Sequence, residues 1–339
     1  MKKVLITGAN GQIGSELIAE LRNRLGADNV IGLDLREPGD AQKKTGPCEV
    51  LDATDRPGLD KIVAKYQIDT IFHLVGILSA TGEKNPNLAW NVNMNSLKHV
   101  LEIAREMKQA GKEIKIFWPS SIAVFGPSTP RENTPQETVL KPTTMYGVTK
   151  VAGELLCNYY HLKYGVDVRS IRYPGLISWR TPPGGGTTDY AVAIFYEAVK
   201  NGKYECYLSP DTVLPMMYMP DAIRGTIELM DAPGENIKTR TSYNFAAVSF
   251  SCAELAAEVK KLMPEFGCTY KPDFRQKIAD SWPKTINDGV ARKEWGWKPE
   301  YDTGKMAQDM MANLKRTLQQ PNTTGRNPQG GQTKNARKI

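Results

Sequence analysis

Three glycines at fixed spacing constrain this chain more than any other feature. In TGANGQIGSEL, Gly8, Gly11 and Gly14 follow a short apolar run, Lys3–Thr7, and open an amphipathic stretch, Gln12–Leu25. A strand that turns through glycine directly into a helix leaves unpaired N–H groups and a positive dipole end, which together bind a pyrophosphate. Asp34 closes the next apolar run, Val30–Asp34, 20 residues past Gly14. A carboxylate there accepts from the hydroxyls of an adenosine ribose and repels a 2′-phosphate, which selects NAD. Arg36 is the one residue that argues for NADP. Asp52 is either an adenine-edge contact or a solvated acid at a strand end.

The rest of the chain fits the same architecture. Further strands are predicted at Glu49–Leu51, Thr70–Val75, Ile114–Pro119 and Asp167–Tyr173, and helices at Leu88–Gln109 and Met145–Tyr164. Strands alternating with helices give an α/β fold, a parallel Rossmann sheet doubly wound with helices on both faces. After Pro174 the pattern changes. A glycine-rich loop, TPPGGGTTDY (181–190), precedes a helix at Tyr190–Lys200, a strand at Tyr243–Val248, a helix at Ser251–Met263 capped by Ser251, and a helix at Met306–Leu318. We expect an NAD-binding domain over 1–173, with parts of 214–247 returning to it. A smaller, partly interleaved substrate lobe is expected over 174–318.

The formal net charge of +7 does not indicate a nucleic-acid partner. Residues 321–339 carry four basic residues and no acid, so +3 is left for the body. The end of the chain, 319–339, reads as a disordered basic tail from its Gly, Asn, Gln and Pro content. Five cysteines, odd in number and without a C-x-x-C, fit a reducing compartment. Three histidines without ligand spacing offer no metal site, and His73 reads as structural. No apolar run is long enough to span a membrane. The compartment expected is the cytoplasm, with the mitochondrial matrix as the alternative if a presequence was removed.

Tyrosine four residues before lysine places both side chains on one helix face. Four such pairs occur: Tyr146/Lys150, Tyr159/Lys163, Tyr196/Lys200 and Tyr301/Lys305. Only the first follows a strand and turn, IKIFWPSSIAVFG, whose Ser121 can share a crevice with it. Tyrosine ionises near about 10, and a neighbouring ammonium lowers that value. A Tyr146 phenolate would then take the proton of a substrate alcohol while hydride leaves the carbon. Lys150 would also hold the nicotinamide ribose, and Ser121 would orient the substrate oxygen.

Together these residues resemble the extended short-chain dehydrogenase/reductase superfamily. The marks are TGANGQIG, Asp34, HLVG (73–76), NVN (91–93), PSSIAVFG (119–126) and YGVTK (146–150). The resemblance implies Tyr146 as acid/base, Asn93 as support for the cofactor, and a dinucleotide lying along the 73–76 turn. The NAD-binding set so implied is Gly8, Gly11, Gln12, Ile13, Gly14, Asp34, Leu35, Arg36, Asp52, Ala53, Leu74, Val75, Gly76, Asn93, Tyr146, Lys150 and Leu176. The chain departs from the nucleotide-sugar enzymes of this superfamily. Pro174 and Gly175 stand where those carry an asparagine, and Ile122 and Ala123 stand where the dehydratases carry an acid pair.

GGGTTDYAV (184–192), LPMMYMPD (214–221) and DSWP (280–283) are similar to the short-chain type L-threonine 3-dehydrogenases, a metal-free class. This implies NAD-dependent oxidation of L-threonine to 2-amino-3-oxobutanoate, which then yields aminoacetone, or glycine and acetyl-CoA. The superfamily's habit of pairing two long helices across a dimer implies a homodimer. A zwitterionic substrate needs donors and acceptors together. Gly184, Gly185, Thr187, Thr188 and Asp189 offer them, with Ser79 and the catalytic Ser121 and Tyr146. The alternative reading makes the glycines a flexible lid and Thr187 or Asp189 a cap of the next helix. Trp282 either closes the pocket or fills the core. Two other readings stay open: an NAD-dependent nucleotide-sugar epimerase, and a redox-sensing binding protein, which the intact Ser121, Tyr146 and Lys150 speak against.

Overall fold

The computed structural model describes residues 1–319; the expected tail lies outside them beyond Gln319. Among the described residues twelve strands occur in chain order: β1 Val4–Thr7, β2 Val30–Asp34, β3 Cys48–Val50, β4 Thr70–His73, β5 Lys115–Ser121, β6 Val168–Tyr173, β7 Gly175–Ile177, β8 Lys203–Cys206, β9 Val213–Tyr218, β10 Tyr243–Asn244, β11 Val248–Ser251 and β12 Gly267–Tyr270. Seven of them form one sheet in the order β10-β6-β5-β4-β1-β2-β3, with every pairing parallel. Both faces are covered, which is why β1, β2 and β4 read as unbroken apolar runs rather than alternating ones.

Side chains still alternate between the faces. Val4 and Ile6 pack with Leu17, Ile18 and Leu21 on one side, while Leu5 packs with Leu59, Leu97 and Leu101 on the other. The strand order reverses between β1 and β4. Ligands in such sheets bind in the crevice beyond the carboxyl ends of the strands at that point. A third apolar cluster joins Ile177, Phe195, Met216, Leu255 and Met310, beneath the mixed sheet β11-β9-β7 and the helices Tyr190–Asn201, Cys252–Leu262 and Thr303–Gln319.

The structure differs from the sequence expectation in specific places. The single helix expected over Leu88–Gln109 is Pro86–Trp90 and Ser96–Gln109 joined by a π-turn, Asn91–Asn95. That wider turn directs Asn93 inward, where its side chain makes three hydrogen bonds. The strand expected over Tyr243–Val248 is two: β10 extends the main sheet, and β11 pairs antiparallel with β9. β4 ends at His73, so Leu74 and Val75 leave the sheet. Helices at Arg56–Tyr66, Ser79–Lys84, Met219–Asp231, Arg275–Asp280 and Gly289–Trp295 were not anticipated. Ser251 does cap its helix, in a reciprocal capping box with Glu254. Among the described residues no helix is long and apolar enough to cross a membrane.

Candidate active site

The site is built where β5 ends and the Met145–Tyr164 helix begins. Two side chains satisfy the first N–H groups of that helix. Thr144 Oγ1 accepts from Gly147 N at 3.1 Å, and Glu83 Oε1 accepts from Met145 N at 2.6 Å. A Cβ at position 147 would stand 2.2 Å from the Ala123 carbonyl, so the glycine of YGVTK lets the helix start press against the turn after Ser121. Tyr146, Lys150 and Ser121 therefore share one cleft of about 190 Å³. The other three Tyr/Lys pairs do not line it. Tyr159 and Lys163 form an exposed hydrogen-bonded pair, and the Tyr196 hydroxyl donates to the Trp179 carbonyl.

The electrostatics correct one sequence argument. Lys150 does not depress Tyr146 in the protein alone. Its Nζ donates to the Pro119 carbonyl at 2.5 Å and lies 5.4 Å from the Tyr146 ring centroid. Desolvation pushes the phenol up to about 12, against a hydrogen bond with Ser121 that pulls it down. The same cause pushes the Lys150 ammonium down to about 7, against the nearby Cys157 and Glu154. His73 is structural. Its ring nitrogens meet Thr7 Oγ1 at 2.8 Å and Ser96 Oγ at 2.9 Å, and burial pushes it down to about 3.

The same cleft collects Gln12, Ile13, Leu74, Gly76, Ser79, Leu176, Thr187, Thr188, Asp189 and Trp282. Trp282 combines the two roles weighed for it, since it is buried in the core cluster and also borders the cleft. The 184–189 loop departs from expectation. Asp189 Oδ2 accepts from Gly184 N at 2.6 Å and from Gly186 N at 2.9 Å, so one oxygen of the carboxylate and these two amides bind each other. Gly184 and Gly185 border a neighbouring cavity of about 730 Å³, which shares Ser79 and Thr187 with the cleft.

At the other end of the crevice the residues fit a dinucleotide. Gly11 precedes the Gln12–Leu25 helix with no side-chain cap, leaving its first N–H groups available to an anion. A Cβ at Gly14 would lie 2.2 Å from the Gly8 carbonyl, which fixes glycine there. Gly8 itself has φ +75° and packs on the backbone of Leu74 and Val75. Asp34 accepts from Asn10 N at 2.9 Å and from Arg36 N at 3.0 Å. Leu35 and Arg36 are exposed beside it, and Ala53 is buried. Asp52 instead closes a local turn, accepting from Thr54 N and Oγ1, both at 2.8 Å.

A family model described as "NAD dependent epimerase/dehydratase family" matches residues 4–246. An uncharacterized epimerase/dehydratase of Staphylococcus haemolyticus is 51% identical over 92% of this chain and 97% of its own length. The chain belongs to the NAD-dependent epimerase/dehydratase family. Among solved structures of the family, a GalE-like L-threonine dehydrogenase from Cupriavidus necator, in its holo form, is 55% identical. It superposes with a TM-score of 0.89 over 92% of this chain and 100% of that one. A monomeric L-threonine 3-dehydrogenase of metagenomic origin is 49% identical, with a TM-score of 0.88 over 93% and 99% of the two chains.

Several residues of this NAD-dependent site escaped the sequence reading. Pro119, Ser120 and Ile122 border the cleft because they flank Ser121 at the strand end. Tyr173, Pro174 and Gly175 do so because β6 is the next strand and its register puts Tyr173 opposite Ser121. The parallel order of β5 and β6 was the available signal. Among the described residues no group of three His, Cys, Asp or Glu side chains stands together as a metal site.

Proposed function

We propose that this chain oxidises the 3-hydroxyl of L-threonine with NAD, giving 2-amino-3-oxobutanoate and NADH. The observation that carries the reading is a single cleft in which Ser121, Tyr146 and Lys150 meet the hydroxyls of Ser79, Thr187 and Thr188. L-threonine dehydrogenases at about half identity support the substrate. Bound NAD supplies the hydride acceptor. Gly11–Gly14 would hold its pyrophosphate and Asp34 its adenosine ribose, with Leu74, Gly76 and Leu176 along the crevice. The product places the reaction at the head of threonine breakdown.

The proton chemistry follows from the pair. With Tyr146 at about 12 and Lys150 at about 7, the lysine gives up its proton first. Its loss, near pH 7, leaves the remaining proton on the phenol, and that proton must pass to the amine before Tyr146 can act as a base. The arrangement with phenolate and ammonium is the one that accepts the proton of the threonine hydroxyl. Ser121 holds the substrate oxygen toward Tyr146, and Ser79 and Thr187 offer hydroxyls to its charged groups.

We further propose a homodimer. Val148, Leu155, Tyr159 and Leu162 form an exposed apolar stripe along the Met145–Tyr164 helix, with Leu88 and Trp90 exposed on the Pro86–Trp90 helix. Light scattering at dimer mass is the expected result, and monomer mass overturns it. The bacterial source of the curated relative favours the cytoplasm over the mitochondrial matrix.

The deciding assay is NADH appearance at 340 nm with L-threonine and NAD, with NADP and D-threonine as controls. Saturable turnover with L-threonine and NAD alone is expected. Turnover of UDP-galactose in its place would overturn the substrate assignment in favour of an epimerase.

A further inference from the structure

The helix that carries Tyr146 and Lys150 carries a third polar group at the next step of the same face. Glu154 follows Lys150 by four residues and Tyr146 by eight, and it is almost fully buried. Three consecutive residues at the end of β5 each engage one member of this series. Ser121 lines the cleft with the Tyr146 phenol, the Pro119 carbonyl accepts from Lys150 Nζ, and Ser120 Oγ donates to Glu154 Oε1 at 2.6 Å. Arg172 of β6 completes the arrangement with a two-pronged pair, Nε to Oε1 at 2.9 Å and Nη2 to Oε2 at 2.8 Å.

We propose that Glu154, held by Ser120 and Arg172, is a positioning residue whose charge favours the Lys150 ammonium that the phenolate arrangement of the Tyr146/Lys150 pair requires. The proposal rests on the dehydrogenase reading for its kinetic consequences, but not for its electrostatics. A buried ion pair is weak grounds for a stability role, because desolvation offsets most of its attraction. Its placement one helical turn from Lys150 gives it a different use.

The groups around Lys150 single Glu154 out. The Trp118 ring of β5 lies 4.5 Å from Nζ and is uncharged. His73 on β4 stays neutral down to about 3. On the lysine's own helix, the Tyr146 phenol and the Cys157 thiol are both pushed up by burial, so both are protonated near neutral pH. Arg172 on β6 stands beyond the carboxylate and is paired to it. Cys157 and Glu154 are the two groups that favour the Lys150 ammonium against desolvation, and with the thiol held protonated by burial the carboxylate paired to Arg172 is the one that brings a negative charge.

The consequence has a distinctive form. Once the pair has lost one proton, its useful arrangement is phenolate with ammonium, and its idle arrangement is phenol with neutral amine. Removing the Glu154 charge shifts the balance to the idle arrangement without changing the number of protons held. Arg172, left unpaired, pushes in the same direction.

The test is Glu154→Gln, read in two ways. In the ligand-free protein, lysine-selective 15N NMR follows Lys150 Nζ against pH, with the resonance assigned through Lys150→Met. Its midpoint should fall by about one pH unit on loss of a neighbouring charge. With L-threonine and NAD, the plateau kcat should fall by about tenfold while the acid limb moves to lower pH, so that the deficit shrinks toward acid pH. Glu154→Asp, which keeps the charge, should restore the midpoint. A folded Glu154→Gln protein with an unmoved Lys150 midpoint overturns the proposal, as does a rate deficit that is uniform with pH.

Should Glu154→Gln fail to fold, Ser120→Ala decides. It keeps the ion pair and removes one donor from the carboxylate, so the Lys150 midpoint should rise, and an unmoved midpoint overturns the proposal. Because the NMR arm needs no substrate, a shifted midpoint in a protein inactive on L-threonine would leave this inference standing and remove the substrate assignment alone.

Discussion

Asn93 Nδ2 donates to Thr149 Oγ1 across 3.0 Å, tying the π-turn of one helix to the helix that carries Tyr146 and Lys150. The same carboxamide accepts from Ile77 N at 2.7 Å and donates to the Ile77 carbonyl at 3.2 Å, so it also fixes the strand exit beside the crevice. Asn93→Ala removes all three bonds and strands polar groups in a mostly buried place. The expected cost is about 2–3 kcal/mol of stability, with weaker NADH binding. Urea unfolding and NADH fluorescence titration measure both, and an unchanged midpoint would show that these bonds do not hold the turn.

Tyr146→Phe keeps the ring and removes only the hydroxyl that meets Ser121. Turnover should fall by about 10²–10⁴-fold, the usual contribution of a positioned acid or base, while NADH affinity stays within a few-fold. Turnover near that of the parent chain would remove Tyr146 as the proton acceptor.

The parts of this fold that could be read in the sequence are those set by backbone necessity. Gly8, Gly11 and Gly14 mark a turn that side chains would obstruct, and the continuous burial of β1, β2 and β4 marks a sheet covered on both faces. Tyr146 was separable from three similar pairs only through its neighbour Ser121. The missed parts depend on contacts distant along the chain. Asp189 binds the amides of its own loop, which no local pattern distinguishes from a carboxylate facing a ligand. The π-turn at Asn93 depends on partners 16 and 56 residues away. The phenol of Tyr146 rises rather than falls because desolvation, invisible in a spacing pattern, outweighs its hydrogen bond with Ser121.

His73 makes stability depend on acid pH. Its folded value of about 3 lies below the unfolded value of 6.5, so the unfolded chain binds the extra proton between them. Stability is therefore complete above about 6.5 and is lost as pH falls toward 3, at up to about 1.4 kcal/mol per pH unit. Unfolding free energies at pH 7, 6 and 5 should decline more steeply for the parent chain than for His73→Asn. Parallel declines would assign the acid sensitivity elsewhere.

Gly14→Ala places a methyl group 2.2 Å from the Gly8 carbonyl and 2.9 Å from the Ala9 Cα, both of them backbone atoms. The turn must open to admit it, at an expected cost of about 1–3 kcal/mol. NADH affinity should fall by at least about tenfold, because the same turn presents its N–H groups to the pyrophosphate. Parental affinity in this variant would mean that the cofactor does not rest on the turn.

Asp189 gives a test of how the glycine-rich loop is held. Its Oδ2 closes the loop onto the amides of Gly184 and Gly186, and the Gly186 carbonyl accepts from the Tyr207 hydroxyl at 2.9 Å. The loop is thus braced from inside and from the lobe beneath it, which places Thr187 and Thr188 on the cleft. Asp189→Ala removes the internal brace but leaves Tyr146, Lys150 and the glycine turn untouched. The KM for L-threonine should rise by about tenfold or more, the loss of two charge-assisted bonds that order the loop, with NADH affinity unchanged. Asp189→Asn, which keeps an acceptor, should fall between the two. If both variants bind L-threonine as the parent does, the ordered loop is not part of the substrate site, and Ser79 with the cavity beside it becomes the better place to look.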